Sequence, residues 1–348
     1  MKEIDTLPTD IVLATVALPD DVVPDEVLQI EMLPVEMLPI EMPVRDIYEA
    51  FARFLLIDVA NGDATADTIK TYHGDVKHFV AWCAGQGIDP AAAKRSHIEA
   101  YREALKLSGL GVATRSRKLS ILRRFYDAAV KHEILRVNPA AKVKGGKDIT
   151  PPEEKIKCLT EGALGALVAG IPTNTPSGQR DRAIIALMAI HGLRRIEVSR
   201  LDHSSIETDK ETPCLKVHGK ANRVRRVFLR PDTYAAVMNY VEAKAEAGLP
   251  LEGALFLAHG NRTRGQRIAR RSLNMIVDRC LNETALKKAG VSCHALRHTF
   301  GTLAVSGGAK VEHLRDAMGH SKLETTGLYV KAVERQKNNP ANFIRVEV

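Results

Sequence analysis

Residues 294–329 read HALRHTFGTLAVSGGAKVEHLRDAMGHSKLETTGLY. Three groups in this stretch carry chemistry. They are His294-Ala295-Leu296-Arg297-His298, then Met318-Gly319-His320, then Tyr329, nine residues after His320. His294 and Arg297 stand at i and i+3, so a helix through them turns both side chains to one face. The surrounding pattern is mostly helical up to Tyr329 and beyond.

Two further pieces lie N-terminal to this stretch. Gly192-Leu193-Arg194-Arg195-Ile196-Glu197 follows an apolar helix expected over Gln179 to Ile190 and broken at His191-Gly192. Gly219-Lys220 sits in the middle of residues 213–230, which alternate in strand fashion around Gly219-Lys220-Ala221-Asn222 and read as a β-hairpin. The five pieces fit one reaction. Arginines grip the nonbridging oxygens of a phosphate through charge-assisted pairs. A lysine on a turn can protonate an alkoxide leaving group, and histidines move protons at neutral pH. A tyrosine can be an oxygen nucleophile. Its reference pKa is near 10, so ionising it at pH 7 costs about 4 kcal/mol, a cost that paired arginines and a histidine base would offset. No carboxylate cluster adjoins these pieces to hold a metal. The set is what metal-free phosphoryl transfer from DNA needs. Arg194 and Arg195 compete for the first arginine role, and Lys216 and Arg223 are rivals of Lys220.

In order and interval the five pieces resemble the tyrosine recombinase (phage integrase) family, Xer-type recombinases in particular. The family arginine precedes a glutamate by three residues, which selects Arg194 through Glu197. The hairpin lysine matches Lys220, H-x-x-R matches His294 and Arg297, L-G-H matches Met318-Gly319-His320, and T-T-x-x-Y matches Thr325 to Tyr329. Thr68-Ile69-Lys70-Thr71-Tyr72, a basic fourth helix and Asn138-Pro139-Ala140 extend the likeness over residues 45–332. The sequence departs from the family at Arg195-Ile196 in place of Ile-Ser, at His191 in place of Thr, and at Ser205 in place of an aspartate.

The expected fold is mainly α: an N-terminal all-helical core-binding, SAM-like domain plus an α-rich catalytic domain with a small antiparallel β-sheet. The expected divisions are an acidic extension over 1–44, the core-binding domain over 45–140, a linker over 141–157, the catalytic domain over 158–332 and a tail over 333–348. In the first domain one apolar stripe uses Ile47, Phe51, Leu55 and Val59. A second helix starts near Thr68 and runs to Gly85, and a third runs from Ser96, as its cap, to Leu107. A fourth, from Val112 to His132, carries Leu119, Leu122, Phe125, Tyr126 and Ala129 on one side. Its basic residues Arg115, Arg117, Lys118 and Arg123 are candidate DNA contacts.

Charge points to the same partner. Residues 1–45 hold ten Asp or Glu against Lys2 and Arg45, a net of −8, so with an overall +8 the remaining 303 residues carry +16. Such a body suits a polyanion, with counterion release supplying affinity. The extension contains an imperfect repeat, Glu31-Met32-Leu33-Pro34 then Glu36-Met37-Leu38-Pro39, whose prolines forbid a continuous helix. Five scattered cysteines (Cys83, Cys158, Cys214, Cys280, Cys293) without a C-x-x-C pair argue against a disulfide framework or zinc site. With no long apolar run and no signal-like N-terminus, the expectation is a cytoplasmic protein that does not engage membranes.

The resemblance implies a site-specific DNA recombinase that needs neither metal, cofactor nor ATP. Two domains clamp duplex DNA, Tyr329 forms a 3′-phosphotyrosine, and Lys220 protonates the departing 5′-oxygen. Arg194, Arg297 and His320 stabilise the transition state, and His294 assists as base or donor. Two exchanges through a Holliday junction take place in a homo-tetramer on DNA, with a related recombinase or accessory protein as a possible partner. A type IB topoisomerase-like enzyme and a catalytically silent DNA-binding regulator are the alternatives.

Overall fold

Asp46 starts the helix over Ile47–Arg53. Its carboxylate accepts from the backbone N–H of Tyr48 and Glu49, both at 2.8 Å, and so satisfies two of the donors a helix leaves open at its N-terminus. The computed structural model describes residues 44–62, 64–219, 223–337 and 344. The acidic extension up to residue 43, Lys220 and most of the tail after Lys337 lie outside the described residues. The chain divides into two units between Ile149 and Thr150. No described helix is long and apolar enough to cross a membrane.

Among the described residues the first unit holds four α-helices: α1 (Ile47–Arg53), α2 (Ala66–Gly85), α3 (Arg95–Leu107) and α4 (Val112–Lys131). The expected apolar stripes are its core. Ile47, Phe51, Leu55 and Val59 are buried, and so are Leu119, Leu122, Phe125, Tyr126 and Ala129. Phe125 is at the centre, edge-on to Phe51 at 5.3 Å and to Tyr126 at 5.0 Å between ring centroids. The two buried tyrosine hydroxyls are paired, Tyr126 with Pro90 O at 2.9 Å and Tyr101 with His78 Nδ1 at 2.8 Å, as burial of a polar tip requires. Ser96 is not a cap. The third helix begins one residue earlier, after Lys94, whose N–H donates to His97 Nδ1 at 3.2 Å. Thr65 caps α2, so that helix begins at Ala66 rather than near Thr68.

The stretch after Asn138-Pro139 does not leave the first unit at once. Ala140 and Val143 are buried in its core, and Arg123 donates to Val143 O at 3.1 Å. Gly145 lies so close to α4 that a Cβ there would be 2.5 Å from Ser116 N. Residues 140–145 therefore run as a strap along α4.

The second unit holds α5 (Glu161–Ala169), α6 (Pro176–Ala189), α7 (Arg195–Arg200), β1 (Ile206–Asp209), β2 (Thr212–His218), β3 (Val224–Phe228), α8 (Pro231–Glu246), α9 (Arg270–Glu283), α10 (Cys293–Ser306), α11 (Val311–Met318) and α12 (Leu323–Lys337). Helix α6 is its spine. Ile184, Ile185, Leu187 and Met188 are all buried, which explains why the sequence here is apolar all round. At about 1.5–3 kcal/mol for each such side chain, this burial fixes the end of α6 from which the site hangs. The helix starts at Pro176 behind a Thr175 cap, three residues before the expected Gln179.

The sheet is antiparallel in the order β1-β2-β3, with Glu207 opposite Cys214 and Leu215 opposite Val227. Strand β1 was not expected from the sequence. It joins β2 through Lys210 and Glu211, both left-handed at φ 46° and 69°, where glycine or asparagine would have signalled the turn. Helix α12 continues past residue 332 to Lys337, with Val333 buried, so the first residues assigned to a tail belong to the helix.

Candidate active site

The site begins where α6 ends. Gly192 turns the chain at φ +67°, and a Cβ there would lie 2.2 Å from the Phe300 ring of α10, so both conformation and close approach demand glycine. The turn delivers Arg194 to the start of α7. Its Nη1 donates to Glu197 Oε1 at 2.8 Å, its Nη2 to Gly319 O at 3.0 Å and its backbone N–H to Glu197 Oε2 at 2.8 Å. Arg195 is also half-buried, but its charge is felt at Cys293, and the bonds to Glu197 and Gly319 belong to Arg194.

Glu197 is 2% exposed and holds a second arginine. Arg225 of β3 donates Nη1 and Nη2 to its two oxygens, each at 2.9 Å, and Nε to Ala317 O at 2.9 Å. Glu197 thereby ties α7, β3 and the end of α11 together. Arg225 was not singled out in the sequence. The available signal was strand alternation: Val224, Arg226 and Phe228 are exposed, while Arg225 shares the inward face with buried Val227. Gly219 enters the turn beside the same hub, with a Cβ there 3.7 Å from both Glu197 Oε1 and Arg225 Nη1.

Helix α10 supplies the next group. Arg297, 2% exposed, donates to Gly192 O and, at 2.6 Å, to Met318 O. Arg194 and Arg297 thus hold consecutive carbonyls, Gly319 and Met318, at the end of α11. That end is a left-handed glycine cap, Gly319 at φ +62°, with His320 N–H closing onto Arg315 O at 3.0 Å. It aims His320, whose Nδ1 pairs with Thr326 Oγ1 at 2.9 Å.

Tyr329 of α12 is 3% exposed. Its ring lies parallel to His320, 6.4 Å away, and covers Gly301, where a Cβ would be 2.7 Å from Tyr329 Cζ. Its hydroxyl is 2.9 Å from His298 Nδ1. His294 is edge-on to His298 at 4.4 Å between centroids. The structure therefore groups Arg194, His294, Arg297, His320 and Tyr329, and adds Glu197, Arg225 and His298. The sixth expected residue, Lys220, is outside the described residues.

Electrostatics follow from burial under a positive field. Burial raises the Tyr329 hydroxyl above its ordinary value, and Arg297 and Arg194 oppose that rise without cancelling it. Burial, with His294 and Arg297 beside it, pushes His298 down to about 4. Burial with Arg297 and Arg194 does the same to His320, also to about 4. His294 is lowered by burial, Arg297 and Arg194. Burial pulls Glu197 upward, but Arg225 and Arg194 overcome it and hold the carboxyl below its usual value. At pH 7 the three rings are neutral and Glu197 is ionised.

The folded pKa values of His298 and His320 lie below the unfolded value near 6.5, so their contribution to stability is complete above pH 6.5 and is lost as pH falls toward 4. Urea unfolding of the full chain is expected to show stability falling steadily from about pH 6.5 to about pH 4. Replacing both rings by Gln is expected to flatten that fall, and an unchanged slope would show that other groups set it.

The four candidate DNA contacts of the first unit all lie on α4, each with a partner in its own chain. Arg115 donates to Leu110 O and to Gly145 O at 3.2 Å, and Arg123 to Val143 O. Asp75 pairs with both Arg117 and Lys118, the latter at 3.1 Å. Arg117 stays 46% exposed while Lys118 is 10% exposed, so Arg117 keeps the freer guanidinium. Among the described residues no group of three His, Cys, Asp or Glu is placed to hold a metal ion.

Known proteins share sequence and fold with this chain. The phage integrase family profile matches residues 157–336, and that of the phage integrase N-terminal SAM-like domain matches residues 51–133. Tyrosine recombinase XerD of Bifidobacterium longum is 28% identical over 292 residues, covering 80% of this chain and 90% of the relative. Tyrosine recombinase XerC of Pelobacter propionicus is 30% identical over 265 residues, covering 75% and 83%. The fold is similar to that of XerH site-specific recombinase bound to palindromic difH substrate in a post-cleavage complex. That match has a TM-score of 0.66 and 16% identity, and covers 86% of this chain and 84% of the other. It is also similar to the Tn1549 transposon integrase in complex with a circular intermediate DNA, with a TM-score of 0.65, 17% identity, and 86% and 100% coverage.

Proposed function

The chain belongs to the phage integrase family of tyrosine recombinases, and on that premise we propose that it is a Xer-type site-specific DNA recombinase in which Tyr329 is the nucleophile. One observation carries this reading: two arginines, Arg194 and Arg297, anchor adjacent carbonyls of the turn before His320, and the buried Tyr329 hydroxyl pairs with His298 while its ring lies parallel to His320.

In the proposed reaction the Tyr329 oxygen bonds to a DNA phosphorus and the bond from phosphorus to the 5′-oxygen breaks, leaving a 3′-phosphotyrosine. Lys220, in its proposed role, gives the departing oxygen a proton. Arg194 and Arg297 turn toward the phosphate oxygens, where charge accumulates in the transition state. His320 donates to the same oxygens, and His294, in its proposed role as base, takes up the proton that the Tyr329 hydroxyl sheds. A partner strand's 5′-hydroxyl reverses the step, so the bond energy is kept and neither metal nor ATP enters. Two such exchanges pass through a Holliday junction within a homo-tetramer on duplex DNA in the cytoplasm, alone or with a related recombinase or accessory protein. Since Tyr329 is 3% exposed, DNA binding must open its surroundings for the hydroxyl to meet a phosphate.

The test begins with duplexes selected for binding from a random-sequence pool. With the selected duplex nicked near the cut, the wild-type chain is expected to form a covalent complex and then join the cut strand to a second duplex, equally well in EDTA and without nucleotide. A strict magnesium or ATP requirement for cutting would overturn the mechanism. Relaxation of any supercoiled plasmid, without strand transfer between duplexes, would instead assign a topoisomerase.

A further inference from the structure

We infer that His298 is a positioning residue for the nucleophile: its Nδ1 accepts the hydrogen bond of the Tyr329 hydroxyl and sets where that oxygen stands. The inference rests on the reading of Tyr329 as nucleophile and goes beyond it, because the sequence reading gave His298 no role and assigned proton transfer to His294.

The geometry begins with the spacing of α10. His294, His298 and Gly301 stand at i, i+4 and i+7, one face of the helix. Gly301 brings the Tyr329 ring onto this face, since any larger residue would meet the ring at 2.7 Å. His298, one turn earlier, then meets the ring's far end, with Nδ1 2.9 Å from the hydroxyl oxygen. The His320 ring lies parallel to the tyrosine ring, with centroids 6.4 Å apart. His320 is itself held by Thr326, from the same helix as Tyr329. His294, the other imidazole on this face, is edge-on to His298 rather than to the tyrosine.

Chemistry selects the direction of the bond. A hydroxyl that is to attack phosphorus must present a lone pair and shed its proton, so it needs an acceptor beside it. A neutral imidazole protonated on Nε2 offers a lone pair at Nδ1, and a cationic one offers none. Burial together with the neighbouring His294 and Arg297 keeps the His298 ring neutral at pH 7. The hydroxyl itself is kept protonated by burial, so it is the donor in the resting protein. The Tyr329 oxygen is thus held on the side of α10 that carries Arg297, whose guanidinium is tied to Gly192 O and Met318 O.

Two substitutions test this. His298→Phe fills the same volume without a ring nitrogen, whereas His298→Asn places an oxygen close to the Nδ1 position. With the selected nicked duplex, His298→Phe is expected to bind DNA normally and to form the covalent complex about 10- to 100-fold more slowly, the scale set by misplacing a reacting atom. His298→Asn is expected to stay within about threefold of wild type, the residual reflecting a hydrogen bond of slightly different length. A second readout needs no DNA. In full-length protein labelled at tyrosine 13Cζ, with Tyr329 identified by its loss in Tyr329→Phe, the Tyr329 resonance is expected to move in His298→Phe and to return toward wild type in His298→Asn.

Cutting at the wild-type rate by His298→Phe would overturn the proposal, and so would equal impairment of both variants with an unmoved Tyr329 resonance. Should His298→Phe not fold, the Asn variant alone decides, because an unshifted Tyr329 resonance with near-normal cutting is required of it and a disordered one refutes the contact. If the wild-type chain itself forms no tyrosine adduct, the recombinase reading fails, while the resonance still reports on the hydrogen bond.

Discussion

Tyr329→Phe is expected to fold, to bind the selected duplex with wild-type affinity, and to form no covalent complex. The substitution deletes the only oxygen proposed to attack phosphorus. It keeps the ring that covers Gly301 and lies over His320. The stability cost is the hydrogen bond to His298, about 1 kcal/mol, since a neutral imbalance at one buried nitrogen is all that remains. Protein trapped on a nicked duplex, resolved under denaturing conditions and digested, should carry the nucleotide adduct on the peptide containing Tyr329. The same trap applied to Tyr329→Phe should be empty. An adduct on another residue would move the nucleophile. Tyr240 is the useful control, because it is wholly buried and its hydroxyl accepts from Leu257 N–H at 3.1 Å instead of standing beside His298.

Much of this arrangement was legible in the sequence, and the part that was not has physical causes. The reading located Arg194, His294, Arg297, His320 and Tyr329 because each stands in a short local pattern of fixed spacing. The helical cores followed from periodicity, since Ile47, Phe51 and Leu55 recur at helical spacing in one segment and Leu122, Phe125 and Ala129 in another. Arg225 escaped because nothing local marks it. Its meaning comes from Glu197, 28 residues away in sequence, and from the α11 carbonyl it holds. His298 escaped for the same reason, its partner being 31 residues away. Strand β1 was hidden by a turn built from Lys210 and Glu211, residues that carry no turn signature. The partners of the α4 cations were likewise not legible. Asp75, 43 residues from Lys118, occupies the lysine, and the strap after Pro139 occupies Arg115 and Arg123 through its carbonyls. Sequence shows which groups exist, whereas their partners are set by packing between segments far apart in the chain.

Arg194→Ala is expected to slow covalent complex formation by about 10²- to 10³-fold, the usual effect of losing one donor aimed at transition-state charge, while binding to the selected duplex stays near normal. Arg195→Ala is expected to change cutting little. The contrast is informative because the two residues are adjacent and equally charged, so a general electrostatic effect on DNA binding would strike both. Only Arg194 is built into the hub through Glu197 and Gly319 O. Its removal is structurally tolerable, since Arg225 still pairs with both Glu197 oxygens and keeps that carboxylate from being buried alone. Arg297 would be a poorer choice for this comparison. At 2% exposure its truncation leaves a cavity and strips Gly192 O and Met318 O of their donor, so lost cutting would mix chemistry with unfolding. Single-turnover cutting of a nicked duplex, with melting temperatures measured on the same samples, separates the two. A dead Arg195→Ala beside an active Arg194→Ala would shift the phosphate grip by one residue, and equal loss in both would reduce it to charge at a distance.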